Sequence, residues 1–63
     1  MEFSERLKQA RESKGWTQAK LASRASISRE YLARLEAGKQ DPTLSVVRRI
    51  VKALGIGLGK FLA

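Results

Sequence analysis

Arg29, Glu30 and Arg34 stand inside the stretch SISREYLARLEAGK (residues 26–39), and helical spacing decides what they can do. At about 100° per residue, with Arg29 at zero, Ala33 falls near 40°, Ala37 near 80°, Glu30 near 100° and Arg34 near 140°. Leu32, Leu35 and Tyr31 fall at about 300°, 240° and 200°, on the side that meets a core, and Glu36 at about 340° lies on the boundary. One face therefore carries two arginines and a glutamate around two alanines. Arginine pairs bidentately with guanine O6 and N7, and glutamate accepts from cytosine N4, so this profile suits a helix entering the DNA major groove. Taken alone, the same three charges also fit an ordinary solvated face.

Other chemistries find few residues to work with. The 63 residues contain neither cysteine nor histidine, which removes disulfides and the usual zinc ligand sets. No glycine-rich phosphate loop and no acidic pair suited to base or metal work is present, so no catalytic residue, metal site or cofactor is expected. Lys and Arg number 13 against 6 Asp and Glu, a net charge of +7, which favours polyanionic partners through counterion release. A basic amphipathic helix lying on a membrane also fits the charge alone. Recurrent helix caps and the Asp41–Pro42 break argue instead for a compact fold, and the lack of an apolar run or leader suggests a soluble, cytosolic protein.

The elements that must position these side chains read as helices throughout. Phe3, Leu7, Ala10 and Lys14 form one stripe, which Gly15 ends. Trp16, between two helices, is expected in the core. Thr17 caps a second helix with Leu21, Ala22 and Ala25 inward, and Ser28 caps a third over 29–37, with Gly38 just past it. Thr43 caps a fourth with Leu44, Val47, Ile50, Val51 and Leu54 inward, and Gly55 stops it. A last short helix would turn Leu58, Phe61 and Leu62 inward, although Gly57 and Gly59 weaken it by about 1 kcal/mol each. Period-two alternation is absent. The expected fold is all-α, one domain over residues 1–63, a bundle of five short helices whose narrow apolar stripes are buried only together.

Helix, turn of three residues (Ser26 to Ser28) and helix, with Ala22 at the close-packing point, is helix-turn-helix spacing, shared by generic helical hairpins. Together with Arg11, GWTQAKLA (15–22), Ile27, Ser28, LEAGK (35–39), Pro42 and ALG (53–55), it resembles the phage repressor and Cro-like, or xenobiotic response element (XRE), helix-turn-helix family. The resemblance runs roughly from Leu7 to Leu62. It implies a lambda-repressor-like domain in which Ser28, Arg29, Glu30 and Arg34 read bases. Gln18 would contact a phosphate at a helix N-terminus, with Thr17, Tyr31, Lys39 and Gln40 as further backbone contacts. Read without the family, Gln18 is a good helix former, Lys39 and Gln40 a polar loop, Tyr31 a boundary core residue, and Arg48, Arg49 and Lys52 a solvated cluster. The resemblance also implies a structural ion pair between Arg11 and Glu36. Two departures stand out: Ser26 occupies a turn position where the family often has glycine, and Gly57 and Gly59 replace the family's serine and acidic residue.

The function so implied is a sequence-specific double-stranded DNA-binding transcriptional regulator, a repressor acting as a symmetric homodimer with a preference for G·C pairs. It would work in the cytoplasm of a bacterium, nucleoid-associated, whether encoded by the host or a phage. The alternative is a protein-interaction module of the same fold, such as an antitoxin with a toxin partner, or an adaptor. That alternative would be expected to need a partner-binding segment beyond the five helices.

Overall fold

Three helices begin at a hydroxyl. The computed structural model describes residues 2–62, the side chains of Leu58 and Leu62 excepted, so their expected inward orientation lies outside the described residues. Helix α1 (Phe3–Ser13) starts after Glu2 without a side-chain cap. The amides of Lys20, Tyr31 and Val46 donate to Thr17, Ser28 and Thr43, which open α2 (Gln18–Ala25), α3 (Arg29–Glu36) and α4 (Leu44–Leu54). Each cap satisfies an amide with no partner inside its own helix. The short α5 (Leu58–Leu62) follows. Among the described residues every regular element is helical, as the sequence leads one to expect.

The first four helices also close alike. The amides of Trp16, Ile27, Lys39 and Ile56 each donate back five residues, to the carbonyls of Arg11, Ala22, Arg34 and Val51. The residue before each donor is left-handed: Gly15, Gly38 and Gly55 at φ near +72° to +74°, and Ser26 at +59°. This closure usually places an apolar residue at the donor position, packed back on the helix. Trp16, Ile27 and Ile56 obey, each half-buried against the core, whereas α3 has the exposed Lys39 there. Three chain reversals therefore serve packing, and the one after α3 presents a cation instead.

The core is formed by Leu7 of α1, Leu21, Ala22 and Ala25 of α2, Leu32 and Leu35 of α3, Val47, Ile50, Val51 and Leu54 of α4, and Phe61 of α5. Helix α2 packs on both α3 and α4, α1 packs on α3, and α5 packs on α4. Phe3 meets Phe61 edge to face at 5.8 Å, and Arg6 donates to the Phe61 carbonyl, which ties α1 to the end of the chain.

Four details differ from the sequence reading. Leu44 is 58% exposed rather than inward, because it sits at the edge of the α4 stripe on the side of Arg48. Trp16 is half-buried at the rim of the core, and its ring faces the cationic heads of Lys14, Lys20 and Arg24, each 5.2 Å from the centroid. Lys14 lies past the end of α1, exposed, since a wheel gives an angle but not where the helix stops. Helix α3 ends at Glu36, with Ala37 as its cap.

Arg11 and Glu36 form a two-point pair across α1 and α3. Arg11 Nε donates to Glu36 Oε2 at 2.7 Å and Nη2 to Oε1 at 3.0 Å, while Nη1 donates to the Trp16 carbonyl at 2.7 Å. Gln18 Nε2 adds a bond to Glu36 Oε1 at 3.1 Å, so α2 joins the same carboxylate. The side chains are 11% and 4% exposed. The hydrogen bond to Glu36 raises the pKa of Arg11 above its ordinary value, against the opposing effect of burial, so the guanidinium stays charged. Glu36→Ala strands that cation and should cost ~3 to 5 kcal/mol, comparable to the whole stability expected of so small a domain. Glu30→Ala removes only a favourable charge at a helix N-terminus, less than about 1 kcal/mol. Thermal unfolding followed by circular dichroism separates the two; equal melting temperatures would overturn the structural role of Glu36.

Candidate nucleic-acid interface

Helix α3 turns its leucines into the core, so its opposite face is fixed outward by packing rather than by its charges. Arg29, Glu30 and Arg34 are exposed on that face, with Ala33 half-buried between them. Arg34 does not point freely into solvent. Its Nε donates to Gln40 Oε1 at 2.8 Å, and its guanidinium carbon lies 5.8 Å from the centroid of the Tyr31 ring. The side chain is thus braced by the loop on one side and by an aromatic face on the other. Among the described residues its two Nη groups carry no hydrogen bond, which leaves a planar pair of donors for a bidentate acceptor.

The remaining expected contacts divide by what already occupies them. Ser28 and Thr17 spend an oxygen lone pair on their caps, and each hydroxyl keeps its proton to donate. Gln18 gives one amide hydrogen to Glu36 and retains a second. Its position is therefore set by the buried pair, and it follows the cap at the start of α2, where backbone amides and the helix dipole favour an anion. Tyr31 is half-buried, and Lys39 and Gln40 are exposed in the loop that closes α3. The α3 closure sets the Lys39 amide on the Arg34 carbonyl, and the bond from Arg34 holds Gln40.

Sequence reasoning passed over Lys8. It lines a hollow of about 350 Å³ with Arg11, Gln18, Ala33, Glu36 and Ala37, so α1 contributes an exposed cation beside Gln18 and the outward alanines of the third helix. Its position three residues before Arg11, on the same side of α1, was the available signal. No group of His, Cys, Asp and Glu that could hold a metal ion occurs among the described residues, and no helix there is long and apolar enough to cross a membrane. What the face offers is charge-assisted and neutral donors with one carboxylate acceptor, and no acid–base pair.

Known proteins share this fold. A helix-turn-helix family model matches residues 7–61. The immunity repressor protein of Bacillus phage phi105 is 39% identical over 56 residues, 89% of this chain, and the matched region is 39% of the repressor's own length. Among solved structures, the restriction-modification controller protein C.AhdI from Aeromonas hydrophila superposes with a TM-score of 0.90 at 29% identity, covering 94% of this chain and 89% of that one. The N-terminal DNA-binding domain of SinR from Bacillus subtilis gives 0.87 at 26% identity, covering 97% and 90%. The chain thus spans well under half of the phage repressor it matches.

The part Gln18 plays in the buried pair is measurable. Gln18→Ala should lower stability by about 1.5 kcal/mol, the loss of one hydrogen bond to a charged group. Lys39→Ala should change it by less than about 0.5 kcal/mol. Denaturant unfolding of the two variants distinguishes them; an unchanged midpoint for Gln18→Ala would show that its bond to Glu36 bears no load.

Proposed function

The chain belongs to the helix-turn-helix family, of the phage repressor (XRE) type, and on that premise we propose that it is a sequence-specific DNA-binding transcriptional regulator that acts as a repressor. One observation carries the reading: α3 hides Leu32 and Leu35 while presenting Arg29, Glu30 and a braced Arg34 outward. The phage immunity repressor and the DNA-binding domain of SinR, named above, support the same assignment for this fold.

In this reading Ser28, Arg29, Glu30 and Arg34 meet base edges. Arg29 and Arg34 select guanine, and Glu30 selects cytosine. Thr17, Gln18, Tyr31, Lys39 and Gln40, together with Lys8, hold the phosphates and set register without carrying sequence information. Gln40 would release or share Arg34 as the guanidinium engages a base, and Tyr31 keeps the side chain pointed at the groove meanwhile. Two copies related by a two-fold axis would place their α3 helices in successive major grooves, about 34 to 36 Å apart, on a pseudo-palindromic operator. Occupying that operator would exclude polymerase. The work would take place in the bacterial cytoplasm, at the nucleoid.

Selection of bound sites from random duplex DNA tests the whole proposal, with a two-fold symmetric consensus containing G·C pairs in each half-site as the expected result. No enrichment would favour a protein-interaction role for the same fold, and half-sites of A·T pairs alone would remove the assigned base contacts. On the selected site, Arg34→Ala should cost ~1 to 3 kcal/mol and leave affinity for random DNA nearly unchanged. Lys39→Ala should weaken both and reduce the salt slope by about 1. Fluorescence anisotropy over a salt series reads both quantities; parallel losses on both DNAs for Arg34→Ala would assign it to the phosphates.

A further inference from the structure

The outer face of α4 carries charge that the α3 face does not use. Leu44, Arg48 and Lys52 follow one another at i, i+4 and i+8, and Arg49 stands beside them. Arg24 joins them from the last turn of α2. A hollow of about 520 Å³ is lined by Arg24, Ala25, Ser26, Arg49, Lys52 and Ala53. A second, of about 370 Å³, is lined by Leu44, Ser45, Arg48, Arg49 and Lys52. Arg49 and Lys52 belong to both, so the two make one groove from the end of α2 along α4.

Four cations converge there with nothing to neutralise them. Neither α2 nor α4 contains an acidic residue, and among the described residues no carboxylate pairs with Arg24, Arg48, Arg49 or Lys52. Two of the four heads are already positioned. Arg24 lies 5.2 Å from the centroid of the Trp16 ring, and Arg49 Nη1 reaches the Ser26 carbonyl at 3.5 Å. Neither contact offsets a full charge, so the groove keeps its positive charge for an anion.

A phosphate backbone and an acidic polypeptide would both satisfy the charge, and Leu44 separates them. It is 58% exposed, the single large apolar side chain left so open among the described residues, and it stands in line with Arg48 and Lys52. A phosphodiester gains nothing from an exposed leucine, whereas a peptide with one apolar side chain among its carboxylates buries it. We propose that the groove between the end of α2 and α4 docks an acidic segment of a partner protein, its carboxylates on Arg24, Arg48, Arg49 and Lys52 and one large apolar side chain against Leu44. The surface is built from side chains outside the DNA-reading set, so this docking stands whether or not α3 reads bases.

A random twelve-residue peptide library displayed against the whole chain tests the proposal. Enriched sequences should carry several Asp or Glu around one Leu, Ile, Phe or Trp. A synthetic copy of the strongest should shift backbone amide resonances of α4 and the end of α2, and not those of residues 28–34. The double reversal Arg49→Glu/Lys52→Glu should weaken that peptide by at least about tenfold. Leu44→Ala should weaken it roughly tenfold as well. Both variants should remain folded by circular dichroism and keep the parent affinity for duplex DNA. Failure to enrich acidic sequences would overturn the proposal, as would shifts confined to residues 28–34. So would equal binding of the peptide to the parent and Leu44→Ala, which would mean charge alone, and so would a loss of duplex DNA affinity in the folded double reversal, which would make DNA the occupant.

Discussion

A single carboxylate holds the angle at which the outward face of this molecule is presented. Glu36 ends α3, receives two hydrogen bonds from Arg11 of α1 and one from Gln18 of α2, and is almost wholly withdrawn from water. Arg11 also grips the Trp16 carbonyl, the residue that closes α1. Apolar contact is non-directional, so Leu32 and Leu35 alone would tolerate rotation of α3 in its socket. The bidentate pair removes that freedom because its donors and acceptors match in one orientation. The same network fixes Gln18, so the start of α2 and the face of α3 keep a constant relation, as the proposed recognition of a duplex would require.

The cost of this geometry is visible at the turn between α2 and α3. Ser26 is the only non-glycine left-handed residue among those described, at a position where a side chain is disfavoured by about 1 to 2 kcal/mol. Its carbonyl is the atom approached by Arg49, and its neighbour Ile27 packs on the core and donates to Ala22. A glycine would relax the backbone there but enlarge the set of unfolded conformations. The turn is thus held by its neighbours rather than by its own preference, which fits a short connection between two helices whose crossing must not drift.

Much of this was legible in the residues. Helix starts were visible because Thr17, Ser28 and Thr43 are local signals, satisfied within three residues of themselves. The inward stripes of α2 and α3 were visible because both helices are short and lie fully on the core. Leu44 and Trp16 were misread for a shared reason: a wheel reports direction, and neither the edge of a stripe nor the rim of a core can be told from direction alone. The bracing of Arg34 by Gln40 depends on which chain segments come together in space, so no spacing rule could supply it, whereas the i, i+3 spacing of Lys8 and Arg11 does place Lys8 on the side of α1 that meets Gln18. The Arg11–Glu36 pair, 25 residues apart in sequence, was reachable only through resemblance to a family, not through any property of the two residues themselves.

The distribution of charge then bears on how the proposed reading would work. Of the 13 basic residues, four, Lys8, Arg29, Arg34 and Lys39, belong to the proposed face. Arg11 is neutralised in the interior, and four more, Arg24, Arg48, Arg49 and Lys52, line the groove of α2 and α4. The net +7 is therefore not one electrostatic footprint. A face with few cations, one carboxylate and several neutral donors gains less from counterion release and depends more on directional pairing, which favours discrimination over tight non-specific binding. Glu30 sharpens this, because a carboxylate among phosphates is repelled unless a cytosine amino group meets it. On the proposed reading, the α3 face would thus read bases with limited affinity. A regulator built on it would need added grip, from a second copy across a two-fold axis or from a partner held on the basic groove.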